Sequence, residues 1–164
     1  RQLLDWNNND DSGDVDYSDD QGDWVRGHAW KSDGTKLFVM NWDGGLSGDA
    51  TATYRICSYD LTTPYDISTI SKTNSYVDAP TSSNSYDTGL TQSVRSFAMS
   101  NDGTKFFFIN KATEYIHQIT FATAYDLSSN ASSVTYDTSA AGTPRSIAFS
   151  ANGKKLFIET EQSQ

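Results

Sequence analysis

One arrangement of apolar and polar positions occurs three times along the chain. Residues 94–109 have the sequence V-R-S-F-A-M-S-N-D-G-T-K-F-F-F-I, and residues 25–40 and 144–159 follow the same pattern. In each copy, two short apolar runs flank a polar segment with Asp-Gly or Asn-Gly near its centre. Short apolar runs on either side of such a turn predict a β-hairpin. A chain that copies one hairpin at intervals is a repeat protein, so its fold is expected to follow from the repeat.

The repeat extends beyond the hairpin. A tyrosine precedes each arginine by nine positions, and the turn glycine follows the arginine; these repeat residues are Tyr17, Arg26, Gly34, Tyr86, Arg95, Gly103, Tyr136, Arg145 and Gly153. The arginines are 69 and then 50 residues apart, and two insertions in the first unit, within 41–53 and 70–82, explain the difference. The period is therefore near 50, and the units cover approximately 14–82, 83–132 and 133–164.

Each unit is predicted to contain four short strands. In the second unit these are residues 94–99, 105–109, 115–121 and 134–138. The first two are apolar on both faces, a pattern typical of sheets that are covered on both sides. Four-stranded units of about 40–50 residues that stack face to face are the blades of a β-propeller. The sequence therefore predicts an all-β fold, a β-propeller with about three four-stranded blades in this chain.

The number of blades leaves two arrangements open. Propellers typically close with about four to eight blades, whereas this chain has three hairpin copies and the third unit stops at E-T-E-Q-S-Q, just after its second strand. The apolar residues of R-Q-L-L-D-W (1–6) make this segment a candidate third strand for the last unit. Either the chain is part of a larger propeller, closed by the rest of a longer chain, or two copies close a six-bladed ring.

Composition limits the classes of partner. The formal net charge is −9 and the pI is about 4.4. Binding to nucleic acid through a basic patch is disfavoured, because phosphate contacts need clustered Lys and Arg. Cys57 is the only cysteine, so there is no disulfide framework and no cysteine-based metal cage. No apolar run approaches the length that spans a membrane, and membrane insertion is not expected.

The acidic segment at 7–23 is a candidate Ca²⁺ site. Closely spaced oxygen ligands with a glycine at the turn suit Ca²⁺, and the candidate ligands are Asn8, Asp10, Ser12, Asp16 and Asp19. The match to a calcium loop is degraded, since Asn is first and an Asp replaces the final Glu. The alternative is a solvated acidic loop that keeps a sheet edge soluble.

The insertion at 41–53 is a candidate sugar-binding loop. It contains Trp42, Asp43 and Asp49, and Trp24 lies in the same unit. An indole ring can stack on the C–H face of a sugar while carboxylates accept its hydroxyl protons. Insertions on a repeat scaffold map to loops, often on the binding face. The alternative is that Trp42 only holds the loop in place.

The three repeat arginines allow two interpretations. Closed into a ring, Arg26, Arg95 and Arg145 would crowd one mouth of a central channel and attract an anion. The alternative is that each arginine stabilises its own unit, with Asp87 and Asp137 as the obvious partners. Repetition favours the second interpretation, since a ligand seldom needs every unit alike.

No catalytic set is apparent. His28 and His117 are the only histidines and occupy non-equivalent strands. Neither belongs to an H-E-x-x-H motif, and no nucleophile–base pair or G-x-S-x-G motif is present.

The motif S-x-D-G-T-K, at 100–105, and the segment Y-D-L-T-T-P-Y-D-I-S-T, at 59–69, carry a family resemblance. Together they resemble a propeller repeat found in proteins of environmental bacteria and their phages, and more loosely YVTN-type and WD40-like repeats. The resemblance covers about residues 14–160. It implies an extracellular, cell-surface or virion protein that acts as a scaffold or binding module.

Three functions follow from these patterns. The first is a non-enzymatic propeller module of an extracellular assembly, which recognises a receptor or neighbouring subunit through the loops 41–53 and 70–82. The second is a lectin-like glycan binder that uses the Trp42 loop. The third is a lactonase-type enzyme that needs a metal held by acidic residues, because fold alone does not exclude enzymes. No cofactor other than Ca²⁺ is indicated.

Overall fold

The described part of the chain forms ten antiparallel strands in three separate sheets. The computed structural model describes residues 25–42, 54–70, 85–88, 93–129 and 131–161. The strands are β1 (Val25–Trp30), β2 (Lys36–Trp42), β3 (Tyr54–Asp60), β4 (Ser85–Asp87), β5 (Val94–Met99), β6 (Lys105–Asn110), β7 (Tyr115–Phe121), β8 (Ala131–Asp137), β9 (Thr143–Phe149) and β10 (Leu156–Glu161). The described part has two short 3-10 helices, Ile67–Thr69 and Ser139–Ala141, and no helix long and apolar enough to span a membrane. The all-β prediction is confirmed.

The strand order in each sheet follows the chain. One sheet has the order β1-β2-β3-β4, a second has β5-β6-β7-β8, and the third pairs β9 with β10. Because β4 and β8 pair with β3 and β7, the first two sheets end after Asp87 and Asp137.

Each of the three hairpin turns contains a glycine with a positive φ. Gly34, Gly103 and Gly153 have φ values of +73°, +71° and +68°, which a residue with a side chain rarely adopts. In the second turn, the Asp102 carboxylate accepts the Thr104 N–H at 3.0 Å. The turn geometry is thus fixed by the short polar side chain and the glycine that follows it.

The sheets pack against one another through apolar faces. Phe38 and Met40 of the first sheet are fully buried against the second sheet, where Phe106 and Phe108 meet them. Phe38 and Phe106 form an edge-to-face pair with ring centroids 5.2 Å apart. At the next interface, the centroids of Phe107 and Phe149 are 4.5 Å apart, and the buried members of that core are Ile109, Ile116 and Ile147. This explains why the first two strands of each unit are apolar on both faces.

The first strands of successive sheets lie side by side. The third residue of each first strand makes the contact with the next sheet, at Gly27 in β1 and at Ser96 in β5. A Cβ placed on Gly27 of β1 would lie 2.8 Å from Cβ of Phe97 in β5, so only glycine fits. At the equivalent position of β5, Ser96 Oγ accepts the Ile147 N–H of β9 at 3.1 Å. β1 therefore contacts β5 as β5 contacts β9, and successive sheets repeat the same relation.

Each sheet has two distinct ends. We call the end where the first strand begins the arginine end, since Arg26, Arg95 and Arg145 lie there, and the opposite end the hairpin end, which contains the turn glycines. Bonds between sheets align the ends: Thr143 Oγ1 donates to Glu114 Oε1 at 3.0 Å at the arginine end, and Asn101 Nδ2 donates to the Ala151 carbonyl at 2.8 Å at the hairpin end.

Candidate functional site

The arginine end brings together the repeat arginines and the insertion of the first unit. Trp42 at the end of β2 is paired with Tyr54 at the start of β3, so the loop 43–53 leaves and re-enters the first sheet at this end. In the second sheet, the short turn 111–114 connects β6 to β7 at the equivalent place. β3 runs from the arginine end to the hairpin end, so the chain leaves the third strand at the hairpin end. The two inserted loops are thus attached at opposite ends of the first sheet.

Each repeat arginine has a described bond within its own sheet. Arg26 Nη2 donates to the Tyr54 hydroxyl at 3.4 Å, and its guanidinium carbon lies 5.9 Å from the centroid of that ring. Arg95 Nη1 donates to the Val94 carbonyl at 3.1 Å. Arg145 forms an ion pair with Glu161 of β10. These bonds agree with arginines that stabilise their own units.

The prediction that Asp137 is the partner of Arg145 is wrong. We expected Asp137, but the ion pair is made with Glu161, because the pairing of β9 with β10 places Glu161 opposite Thr143 at the same end. The Asp137 carboxylate instead accepts the Ser139 N–H at 2.9 Å, and this backbone bond lowers its pKa from the usual value. The side chain of Asp87, the other expected partner, lies outside the described residues.

The predicted Ca²⁺ and sugar ligands cannot be placed together. All of Asn8, Asp10, Ser12, Asp16 and Asp19 lie outside the described residues, as do Trp24, Asp43 and Asp49. The backbone of Trp42 is described as the last residue of β2, and the side chain is not. Tyr17 is also outside, and Tyr86 is described only as backbone within β4. These assignments therefore remain predictions.

The histidines and the cysteine lie apart from the arginine end's polar groups. His117 stacks on Phe108 with ring centroids 5.0 Å apart, and partial burial lowers its pKa. His28 is exposed on β1 and Cys57 is a buried free thiol in β3. Over the described ranges, no cluster of three or more His, Cys, Asp or Glu side chains could hold a metal ion.

A contact that we did not predict is found at the hairpin end. The Tyr65 N–H donates to the Gly34 carbonyl at 3.0 Å, and the Tyr65 hydroxyl donates to the Ser32 carbonyl at 2.7 Å. A Cβ at Gly34 would lie 2.4 Å from the tyrosine ring. The segment after the third strand is thus fastened to the hairpin turn, and the turn glycine makes room for the ring.

The second sheet repeats this contact. The Tyr125 N–H donates to the Gly103 carbonyl at 2.9 Å, and the hydroxyl donates to the Asn101 carbonyl at 2.9 Å. A Cβ at Gly103 would lie 2.2 Å from the ring. The recurrence of both the D-G turn and the Y-D-x-S segment was visible in the sequence, but nothing in the sequence indicated that the two touch.

Comparison with protein-family models, with curated proteins and with solved structures finds no match to this chain. The functional interpretation therefore depends on the residues and contacts described above.

Proposed function

We propose that the protein is a non-enzymatic β-propeller module that acts as a structural or binding component of an extracellular assembly, such as a phage particle or a surface appendage. One observation carries the proposal. Three repeated sheets are joined by equivalent contacts, at Gly27 and at Ser96, while the largest change between units near the arginines is the insertion at 43–53. A rigid repeated scaffold that carries a variable loop at one end is a common form of binding protein.

The binding surface is the arginine end. The loop 43–53 is attached there, beside the arginine that begins the first strand of the same sheet. The four-residue turn at the equivalent place in the second sheet offers much less surface. A receptor or a neighbouring subunit would contact the longer loop, and the loop 70–82, attached at the hairpin end, would not share that surface.

Site-specific photo-cross-linking tests this assignment. A photoreactive residue in place of Ser47 in the loop is expected to cross-link the protein to another component when it is produced in its own cells or particles. The matched control replaces Ala122, which is exposed at the hairpin end. Equal cross-linking from both positions, or cross-linking from Ala122 alone, would contradict the proposal.

A glycan is the second candidate ligand, and the position of Trp42 favours it. Trp42 ends β2 at the border of the inserted loop, where an indole ring can serve as a platform for a sugar. On a glycan array, labelled protein is expected to bind a restricted set of sugars and to lose that binding in the Trp42→Ala variant. Binding that survives this substitution rules the candidate out.

A further inference from the structure

One titratable side chain lies within the apolar contact between the first and second sheets. His117 in β7 is paired with Phe108 in β6, and residues paired across two strands share a face of the sheet. The same face of β7 carries Ile119 and Phe121, because side chains alternate along a strand. These three apolar residues belong to the cluster that joins the two sheets. His117 therefore lies on the face of the second sheet that packs against the first.

The imidazole ring of His117 has an apolar partner and no acceptor for a second proton. The ring stacks on Phe108 with an interplanar angle of 7°, and Phe108 is 1% exposed. Nε2 of His117 is buried and has no hydrogen-bond partner among the described residues. A neutral imidazole has one N–H, whereas an imidazolium has an N–H on both ring nitrogens. Protonation in the folded protein would therefore leave a buried N–H without an acceptor, which is unfavourable.

Within the second sheet, one carboxylate shares the face of His117. The neighbours on β6 and β7 include a phenol and no carboxylate; they are Phe106, Phe108, Asn110, Tyr115 and Ile119. On β8, Thr135 is opposite His117, and Asp137 is the next residue on that face towards the arginine end. The Asp137 carboxylate is exposed and accepts the Ser139 N–H at 2.9 Å, so its own turn holds it.

The first sheet presents apolar and aromatic side chains to the centre of this contact. The buried members of the cluster on that sheet are Phe38, Met40, Tyr54 and Ile56. Charged groups lie at the two ends of the same face. At the arginine end, the guanidinium carbon of Arg26 is 5.9 Å from the Tyr54 ring centroid. At the hairpin end, Lys36 Nζ is 2.6 Å from the Asp60 carboxylate. The described part of this face therefore offers no unpaired carboxylate to a protonated His117.

We propose that His117 makes the contact between the first and second sheets sensitive to pH, since the neutral ring fits the contact and a second proton weakens it. In agreement with the geometry, burial lowers the pKa of His117 below its usual value of 6.5. The unfolded chain then binds this proton more readily than the folded protein does. Stability is therefore full above pH 6.5 and falls as the pH decreases from 6.5 towards the lower pKa of the folded state. Acidic surroundings would loosen the first sheet from the second.

Denaturant unfolding of the whole chain from pH 8 to pH 5 tests the proposal. The chain has two histidines, and histidine is the side chain whose usual pKa lies in this range. The protein is expected to unfold at a lower denaturant concentration at pH 5 than at pH 8. The folding equilibrium constant should fall by about tenfold for each pH unit between the pKa values of His117 in the unfolded and folded states. An unfolding midpoint that does not change would overturn the proposal.

Substitution of each histidine assigns the effect. His117→Gln removes the titrating ring, so its unfolding midpoint should stay nearly constant over this range, whatever its stability at pH 8. The matched control is His28→Gln, since His28 is exposed on β1, and this variant should keep the full pH dependence. His117→Phe retains a ring to stack on Phe108 and should behave as His117→Gln does. A pH dependence that persists without His117, or that is lost without His28, would contradict the proposal.

Two measurements on the unaltered protein are independent of these variants. An NMR titration of the His117 ring protons should give a pKa below 6.5, and a higher value would overturn the proposal. Hydrogen exchange, corrected for its intrinsic pH dependence, should accelerate at pH 5 at the amides of Phe38 and Met40 in the first sheet. It should accelerate less at the Ile147 amide, which bonds to Ser96 between the second and third sheets. Equal acceleration at all three amides would show a general loss of stability instead of a local one.

Discussion

At the scale of single residues, each hairpin turn depends on one short polar side chain. The Asp102 carboxylate accepts bonds from the Ser100 hydroxyl at 2.6 Å and from the Thr104 hydroxyl at 2.8 Å, in addition to the Thr104 N–H. In the third turn, Asn152 accepts the equivalent bonds from Ser150 and Lys154 with a neutral amide oxygen. The turn therefore needs an acceptor at this position, and the negative charge is optional.

The charge at Asp102 makes the stability of this turn depend on pH. Its hydrogen bonds lower the Asp102 pKa from 3.8 to about 2. Because the pKa of Asp102 is lower in the folded protein than in the unfolded chain, ionised Asp102 stabilises the folded state above pH 3.8. This stabilisation is lost as the pH falls towards 2. Denaturant unfolding between pH 4 and pH 2 should show a shallower loss of stability for Asp102→Asn than for the unaltered protein, so the difference in stability between the two proteins is largest at pH 7 and shrinks towards pH 2. A steeper loss in the variant would contradict the assigned hydrogen bonds.

At the scale of elements, the strands were largely predictable from the sequence, whereas the contacts between one element and another were not. The expected strands 94–99 and 115–121 coincide with β5 and β7, because both combine burial with a clear turn on each side. The fourth strand was expected at 134–138 but spans Ala131–Asp137, since every one of its residues is exposed and only its pairing with β7 sets its bounds.

Two local features could not be read from the sequence. The pairing of β5 with β6 has a register shift between Arg95 and Phe97, and the apolar residues on both faces of β5 conceal it in the sequence. The contact of each tyrosine with its turn glycine was also hidden, because different lengths of chain separate the two residues in the two units. The candidate ligands at 7–23 and 43–53 lie outside the described residues, so the sequence alone supports them.

The tyrosine contact leads to a prediction with an internal control. Gly103→Ala adds a Cβ both at a positive φ and against the Tyr125 ring, whereas Gly153→Ala meets only the conformational cost. We expect Gly103→Ala to lower the free energy of unfolding by about 2–4 kcal/mol and Gly153→Ala by about 1–2 kcal/mol. Denaturant unfolding measures both, and equal effects would mean that the tyrosine ring moves aside at no cost.

At the scale of the whole molecule, two of the three buried apolar clusters of the described residues lie between sheets. Phe38 is fully buried between the first and second sheets, and its equivalent Phe107 contacts Phe149 of the third. The third copy, Phe157, is 57% exposed. Equivalent positions thus contribute differently, according to whether a following sheet covers them.

This difference predicts unequal costs for the same substitution. Phe38→Ala should lower the free energy of unfolding by about 3–5 kcal/mol, because it leaves a cavity in a packed core. Phe157→Ala should change it by less than about 1 kcal/mol, as is usual for exposed positions. Thermal or denaturant unfolding of the two variants distinguishes them, and a large loss for Phe157→Ala would show that this face is covered in solution.

The same contact at every step gives the molecule a direction. At both described interfaces, one face of a sheet meets the opposite face of the next, so the outer faces of the first and third sheets are unlike. Head-to-tail order of this kind has no two-fold axis between neighbouring sheets. Any growth of the array that preserves the contact must therefore proceed with the same polarity, as a one-way series.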